Sequence, residues 1–133
     1  MNYFAYGSNL STQQMGQRCP GAKRRTSARL PNYKLVFTGR SRSTDGGTAT
    51  IQLQKGEHVL GGLYEIDEKC LRALDRLEGY PTVYERMNVI VFSDLGDAIE
   101  AVTYYKKDRA PEEAPSRQYL AAIRAGYEDW GLL

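Results

Sequence analysis

Short strand-like runs follow one another along this chain with few helices between them, and that order limits the folds open to it. Seven segments read as strands: Asn2 to Tyr6, Thr26 to Leu30, Tyr33 to Phe37, Thr48 to Leu53, Val59 to Ile66, Tyr84 to Phe92 and Ile99 to Lys106. Pro31-Asn32 reads as a turn, Gly56 as the centre of a hairpin, and Asp94-Leu95-Gly96-Asp97 as a second hairpin turn. Gly61-Gly62 inside a strand marks a bulge or a close backbone approach. The polar stretch from Gly39 to Gly47 reads as a mobile surface loop.

Three helices carry start signals. Ser11 caps the first, with Gln14 completing a capping box, and Pro20-Gly21 stops it near Arg18. Asp67 caps the second, which runs to Glu78, and Ser116 caps the third, Arg117 to about Asp129, with Leu120, Ile123 and Tyr127 as its apolar stripe. Six or seven strands with three helices make an α+β chain, and short strands around one core predict a small barrel or a strongly curled mixed sheet. A length of 133 residues, without repeats or linkers, gives a single domain over 1–133.

A net charge of +2 without a basic stripe excludes a nucleic-acid surface, and Lys23-Arg24-Arg25 with Arg29 reads as a solvated strand entry. No apolar run approaches the roughly 20 residues of a membrane span, and the start has no basic leader, so the expected location is cytoplasmic. Cys19 and Cys70 follow no zinc or redox spacing; in a reducing compartment both are expected as free thiols, Cys70 in the core beside Leu74. Cys19 lacks a basic activator, and a single histidine, His58, cannot build a multi-histidine metal site. Trp130 either packs on the barrel or lies in a self-association surface, which leaves a homodimer open.

Glu78 carries the strongest chemical signal. Leu74 and Leu71 lie four and seven residues before it, on the same helical face. A carboxylate placed there is partly desolvated and sits at the negative end of the helix dipole, and both effects raise its pKa. The competing reading is a helix-end glutamate that curls out to water around Gly79. At the other end of the chain, Tyr6-Gly7-Ser8-Asn9-Leu10 is a glycine turn between strand and helix, where backbone N–H groups can hold a small anion such as a carboxylate. An ordinary connecting turn is the alternative.

Tyr3-Phe4-Ala5-Tyr6-Gly7-Ser8-Asn9-Leu10 resembles the opening motif of the γ-glutamyl cyclotransferases. Gly46-Gly47-Thr48-Ala49-Thr50-Ile51 resembles their mid-chain strand, Leu74-Asp75-Arg76-Leu77-Glu78-Gly79 their catalytic-glutamate segment, and Ser116-Arg117-Gln118-Tyr119 the start of their last helix. The resemblance implies a small barrel and an intramolecular reaction with no cofactor or metal. The α-amine of a γ-glutamyl group attacks its own γ-carbonyl, giving 5-oxoproline and a released amine or amino acid. It implies Glu78 as general base and acid. It places Tyr3, Phe4, Ala5, Tyr6, Gly7 and Ser8 along the substrate site, with Asn9 bracing the loop and Tyr119, Tyr84 and Tyr105 near the γ-glutamyl group. The partner implied is a small γ-glutamyl substrate. The segment Glu78-Gly79-Tyr80-Pro81-Thr82-Val83-Tyr84 is shorter than in the animal γ-glutamyl amino acid enzymes, which leaves the leaving amine open. A catalytically inactive protein of the same fold that binds a small ligand is the alternative; retention of Glu78 weighs against it.

Overall fold

The computed structural model describes residues 1–41 and 45–133. Its strands are β1 (Asn2–Ala5), β2 (Lys23–Ser41), β3 (Gly46–Glu65), β4 (Glu85–Ser93) and β5 (Ala98–Tyr105); its helices are α1 (Thr12–Arg18), α2 (Glu68–Glu78) and α3 (Arg117–Asp129). The strands close into a barrel in the order β1-β3-β2-β4-β5. Neighbours are antiparallel except β1 and β5, which meet in parallel at Tyr3 and Val102. The architecture is therefore α+β, built on a mixed barrel.

Among the described residues there are five strands rather than six or seven. The expected turn at Pro31-Asn32 and the expected hairpin at Gly56 face each other across one ladder. Pro31 pairs with His58 and Tyr33 with Leu53, so Asn32 lies opposite a longer bulged stretch of β3. Asn32 takes φ 66°, Gly56 takes φ 88°, and the Gly56 N–H donates to Asn32 Oδ1 at 3.2 Å. Turn residues here bend two long strands together instead of reversing them. The expected surface loop is also shorter, because β2 continues to Ser41 and β3 begins at Gly46; Arg42, Ser43 and Thr44 of that stretch lie outside the described residues.

The helix caps follow their residue chemistry. Ser11 Oγ accepts from Gln14 N at 3.3 Å, Asp67 Oδ1 from Cys70 N at 2.8 Å and Ser116 Oγ from Tyr119 N at 3.1 Å. Gly79 ends α2 in the left-handed region at φ 68°, with the Tyr80 N–H donating to the Asp75 carbonyl at 2.9 Å. In α3, Ile123 is buried and Tyr127 half-buried, but Leu120 is 49% exposed. Gly126 takes the contact face instead: a Cβ there would collide with Leu10, so the helix lies directly on the turn that follows β1.

Strand alternation divides the core in two. Phe4, Tyr6, Leu63, Val91 and their neighbours form one cluster inside the barrel. Tyr3, Ala5, Tyr64, Cys70, Leu74 and Trp130 form the other, between barrel wall and helices. Gly61 and Gly62 are the close approach anticipated for them. A side chain on Gly61 would strike the Ala5 carbonyl and the Phe4 ring, and one on Gly62 would strike the Trp130 indole. Trp130 is thus packed against the barrel, edge-on to Tyr64 at 5.1 Å.

Cys19 and Cys70 are not free thiols. They form a disulfide with a Cα–Cα separation of 5.5 Å, inside the range that a bridge requires. Sequence spacing hid the pair because the residues are 51 positions apart and meet only when α1 and α2 dock on the same wall. Neither is a nucleophile, and the expectation drawn from a reducing compartment fails at this pair. His58 lies exposed on β3 opposite Pro31. No helix among the described residues is long and apolar enough to cross a membrane. Replacing both cysteines by serine should lower unfolding stability by about 2–4 kcal/mol in urea titration, the usual worth of closing a loop of this length. Thiol titration of the unfolded wild type should find no free thiol before reduction.

Candidate active site

A cavity of about 300 Å³ opens where the end of α2, the turn after β1 and the start of β3 meet. That volume suits a small ligand. Glu78 shares this cavity with Tyr3, Tyr6, Gly7, Ser8, Asn9, Tyr84 and Tyr119, so both ends of the sequence signal converge on one space. Phe4, Ala5 and Tyr105 do not line it. Alternation along β1 sends Phe4 into the barrel cluster and leaves Ala5 under the helices. Tyr105 is displaced by a one-residue change of face: its neighbour Tyr104 lines the cavity, while Tyr105 packs toward the barrel cluster.

The turn from Gly7 to Leu10 is held rigidly from behind. Leu10 N–H donates to the Gly7 carbonyl and Ser11 N–H to the Ser8 carbonyl, each at 3.0 Å. Tyr64 Oη donates to the Asn9 carbonyl at 2.8 Å and Trp130 Nε1 to the Leu10 carbonyl at 2.9 Å. The carbonyls are thereby occupied on the protein side, while the N–H groups of Ser8 and Asn9 donate to no group among the described residues. Gly7 stands close to the opposite wall: a Cβ there would lie 3.3 Å from Ala49 Cβ and 3.7 Å from Tyr119 Oη. Asn9 does brace the loop, donating to Tyr3 Oη at 2.9 Å and accepting from Arg18 at 2.7 Å. With its amide turned to satisfy both neighbours, Gln14 accepts from Ser8 Oγ at 2.9 Å and from the Arg18 guanidinium at 3.2 Å.

Glu78 is half-buried in the final residue of α2. Burial raises its carboxyl above the ordinary glutamate value, opposed by the positive charges of Arg18 and then Lys106. Burial in turn lowers the Lys106 ammonium, whose Nζ donates to the Thr38 carbonyl at 2.7 Å. Tyr3, Tyr6, Tyr84, Tyr104 and Tyr119 are all raised, burial being the largest cause and the Glu78 charge adding to it. They stay neutral phenols. Tyr84 spends its hydrogen on the Ala49 carbonyl at 2.6 Å, Tyr6 on the Tyr104 carbonyl at 2.6 Å and Tyr104 on Asp75 at 2.6 Å. Tyr119 instead accepts from Ala49 N–H at 3.0 Å and also meets the Ser8 hydroxyl, while Tyr3 accepts from Asn9 and keeps a hydrogen to give.

Arg18, Thr48, Ala49, Arg76, Leu77, Gly79, Val83 and Tyr104 complete the lining and were not named as site residues from the sequence. Arg18 was legible only as a helix-ending residue; nothing in its spacing announces that α1 docks beside Glu78. Among the described residues no cluster of three or more histidine, cysteine or acidic side chains is arranged to hold a metal ion.

The family model described as "Gamma-glutamyl cyclotransferase, AIG2-like" matches residues 3–130. The chain belongs to this family. It is 35% identical over 135 residues to the γ-glutamylcyclotransferase of Bos taurus, covering 98% of this chain and 71% of that protein. It is 30% identical over 118 residues to the γ-glutamylaminecyclotransferase of Bos taurus, covering 82% of this chain and 67% of that one. A solved structure named "Gamma-glutamyl cyclotransferase" superposes with a TM-score of 0.94 at 33% identity, over 99% of this chain and 80% of its own.

The sign of the Glu78 shift sets a stability test. A carboxyl raised in the folded state holds its proton more tightly there, so its protonated form favours folding at low pH, and that contribution is lost as pH rises through the folded-state value. Glu78→Gln should therefore be more stable than wild type at neutral pH. The gap should close as pH falls below the ordinary carboxylate range, as followed by urea midpoints across pH.

Proposed function

We propose that this family member cyclises γ-glutamyl compounds, with Glu78 moving the proton and no cofactor taking part. The observation that carries the reading is the raised Glu78 carboxyl in the same cavity as the Gly7-Ser8-Asn9 turn. Names of relatives support the reaction class; the roles below rest on this chain's geometry.

In this reading the substrate's α-carboxylate lies on the free N–H groups of Ser8 and Asn9, with the Arg18 guanidinium beside them. The α-ammonium faces Glu78, which takes a proton and leaves a nucleophilic amine. The amine nitrogen then attacks the γ-carbonyl carbon of the same residue, forming the new C–N bond of a five-membered lactam. The γ-carbonyl oxygen gathers negative charge, and the hydroxyls of Tyr3 and Tyr119, the latter turning from Ser8, are the donors assigned to it. Collapse breaks the original amide C–N bond as Glu78 returns its proton to the departing nitrogen, and the freed carboxylate then passes the ring nitrogen's second proton to the released amine, which leaves as an ammonium. Atoms balance without water: one γ-glutamyl amide gives one 5-oxoproline and one amine. Holding amine and carbonyl in a folded-over conformation supplies proximity, which reaches on the order of 7–11 kcal/mol in favourable cases.

Glu78→Gln should lower kcat for 5-oxoproline formation roughly 10²–10⁴-fold, with KM changed far less. Chromatographic detection of 5-oxoproline over a panel of γ-glutamyl amino acids and amines measures it. Near-normal turnover by the variant would exclude the carboxylate as proton carrier, while binding without product in wild type would favour a ligand-binding protein instead.

A further inference from the structure

The inner part of the cavity is polar, and its mouth carries exposed aliphatic side chains beside one cation. Leu77 and Val83 line the cavity and are also 54% and 57% exposed, so two aliphatic side chains stand in water at its rim. Both positions are fixed by the short connection after α2. Leu77 precedes Glu78 directly, and Val83 folds back over Gly79 through its N–H bond to the Gly79 carbonyl at 2.8 Å. Arg76, exposed and lining the same cavity, stands beside them with no ion pair among the described residues. Among the described residues Glu78 is the one acidic side chain in the lining. Asp75 nearby is already engaged by Tyr104 at 2.6 Å and Arg86 at 3.5 Å.

These placements bear on what leaves. In the cyclisation reading, on which this inference rests, the departing nitrogen collects its proton from Glu78. The group attached to that nitrogen therefore lies next to Glu78 and reaches solvent past its neighbours. We propose that Arg76, Leu77 and Val83 form a leaving-group subsite that selects an α-amino acid with an aliphatic side chain over an amine with a cationic tail. The aliphatic side chain covers Leu77 and Val83, and the released amino acid's carboxylate meets Arg76. A cationic tail would face Arg76, and among the described lining residues the one carboxylate is Glu78, which carries the reaction's proton.

The test compares kcat/KM for four compounds: γ-glutamylleucine, γ-glutamylglycine, γ-glutamylisoamylamine and γ-glutamylcadaverine. Isoamylamine is leucine without its carboxylate. Leucine should exceed glycine by roughly tenfold or more, the discrimination that an apolar pocket gives, and cadaverine should be the poorest. In Leu77→Ser/Val83→Ser the leucine-to-glycine ratio should fall toward one. In Arg76→Gln the leucine-to-isoamylamine ratio should fall. These three side chains are exposed or at the rim, and a thermal melt beside each assay checks the fold. Equal wild-type rates for leucine and glycine, a preference for cadaverine, or ratios that the variants do not move would overturn the subsite. Absence of 5-oxoproline from every compound would defeat the cyclisation reading itself. Calorimetric binding of the same four ligands to Glu78→Gln ranks them independently of turnover, and a flat ranking there would also overturn the subsite.

Discussion

Closure of the barrel through β1 is the constraint on which the site depends. This strand has four residues, yet it pairs antiparallel with β3 and in parallel with β5. Two side-chain bonds reinforce the weaker, parallel seam: Thr103 Oγ1 donates to the Phe4 carbonyl at 2.8 Å and Tyr6 Oη to the Tyr104 carbonyl at 2.6 Å. All four residues involved, Phe4, Thr103, Tyr6 and Tyr104, are buried, where an unmade bond costs most. The chain therefore leaves the barrel at one fixed point, and the following turn is delivered to the cavity wall. Gly126 and Trp130 of the last helical segment press on that turn from outside, which links residues more than a hundred positions apart into one small structure.

The electrostatic arrangement is one acid among neutral phenols, with cations at a distance. Burial works to keep Glu78 protonated, while Arg18 and Lys106 work to ionise it. For the proposed proton transfer neither extreme would serve: an ordinary solvated glutamate is a weak base, and a deeply isolated one would never release its proton. The tyrosines meanwhile supply donors that do not compete for the proton, because burial holds them as phenols. Most of their hydrogens are committed to carbonyls or to Asp75, which leaves direction as well as number under control.

Local chemistry in the sequence was legible wherever one residue type forces one geometry. Ser11, Asp67 and Ser116 cap the helices as their hydroxyl and carboxylate groups dictate, and Gly79 ends α2 because the left-handed turn suits it. Of the two readings open for glycines 61 and 62, a bulge or a close backbone approach, the second holds at Gly61, while Gly62 makes room for an indole ring. Strand number did not read correctly, since Asn32 and Gly56 look like two turns until their pairing across the ladder is seen. The tyrosine pair 104 and 105 shows the limit of register: one residue decides which face of the barrel wall a ring occupies. Arg18 and the Cys19–Cys70 bridge depend on how α1 docks against α2, a long-range fact that spacing along the chain does not encode.

The indole of Trp130 has one further consequence. It is the chain's single tryptophan, buried against Tyr64 and bonded through its ring N–H to the Leu10 carbonyl of the turn after β1. Its ultraviolet emission therefore comes from one place, and that place is the back of the turn itself. The molecule carries its own optical gauge: any occupant that shifts the amides in front also disturbs the fluorophore behind, so occupancy can be followed without a label.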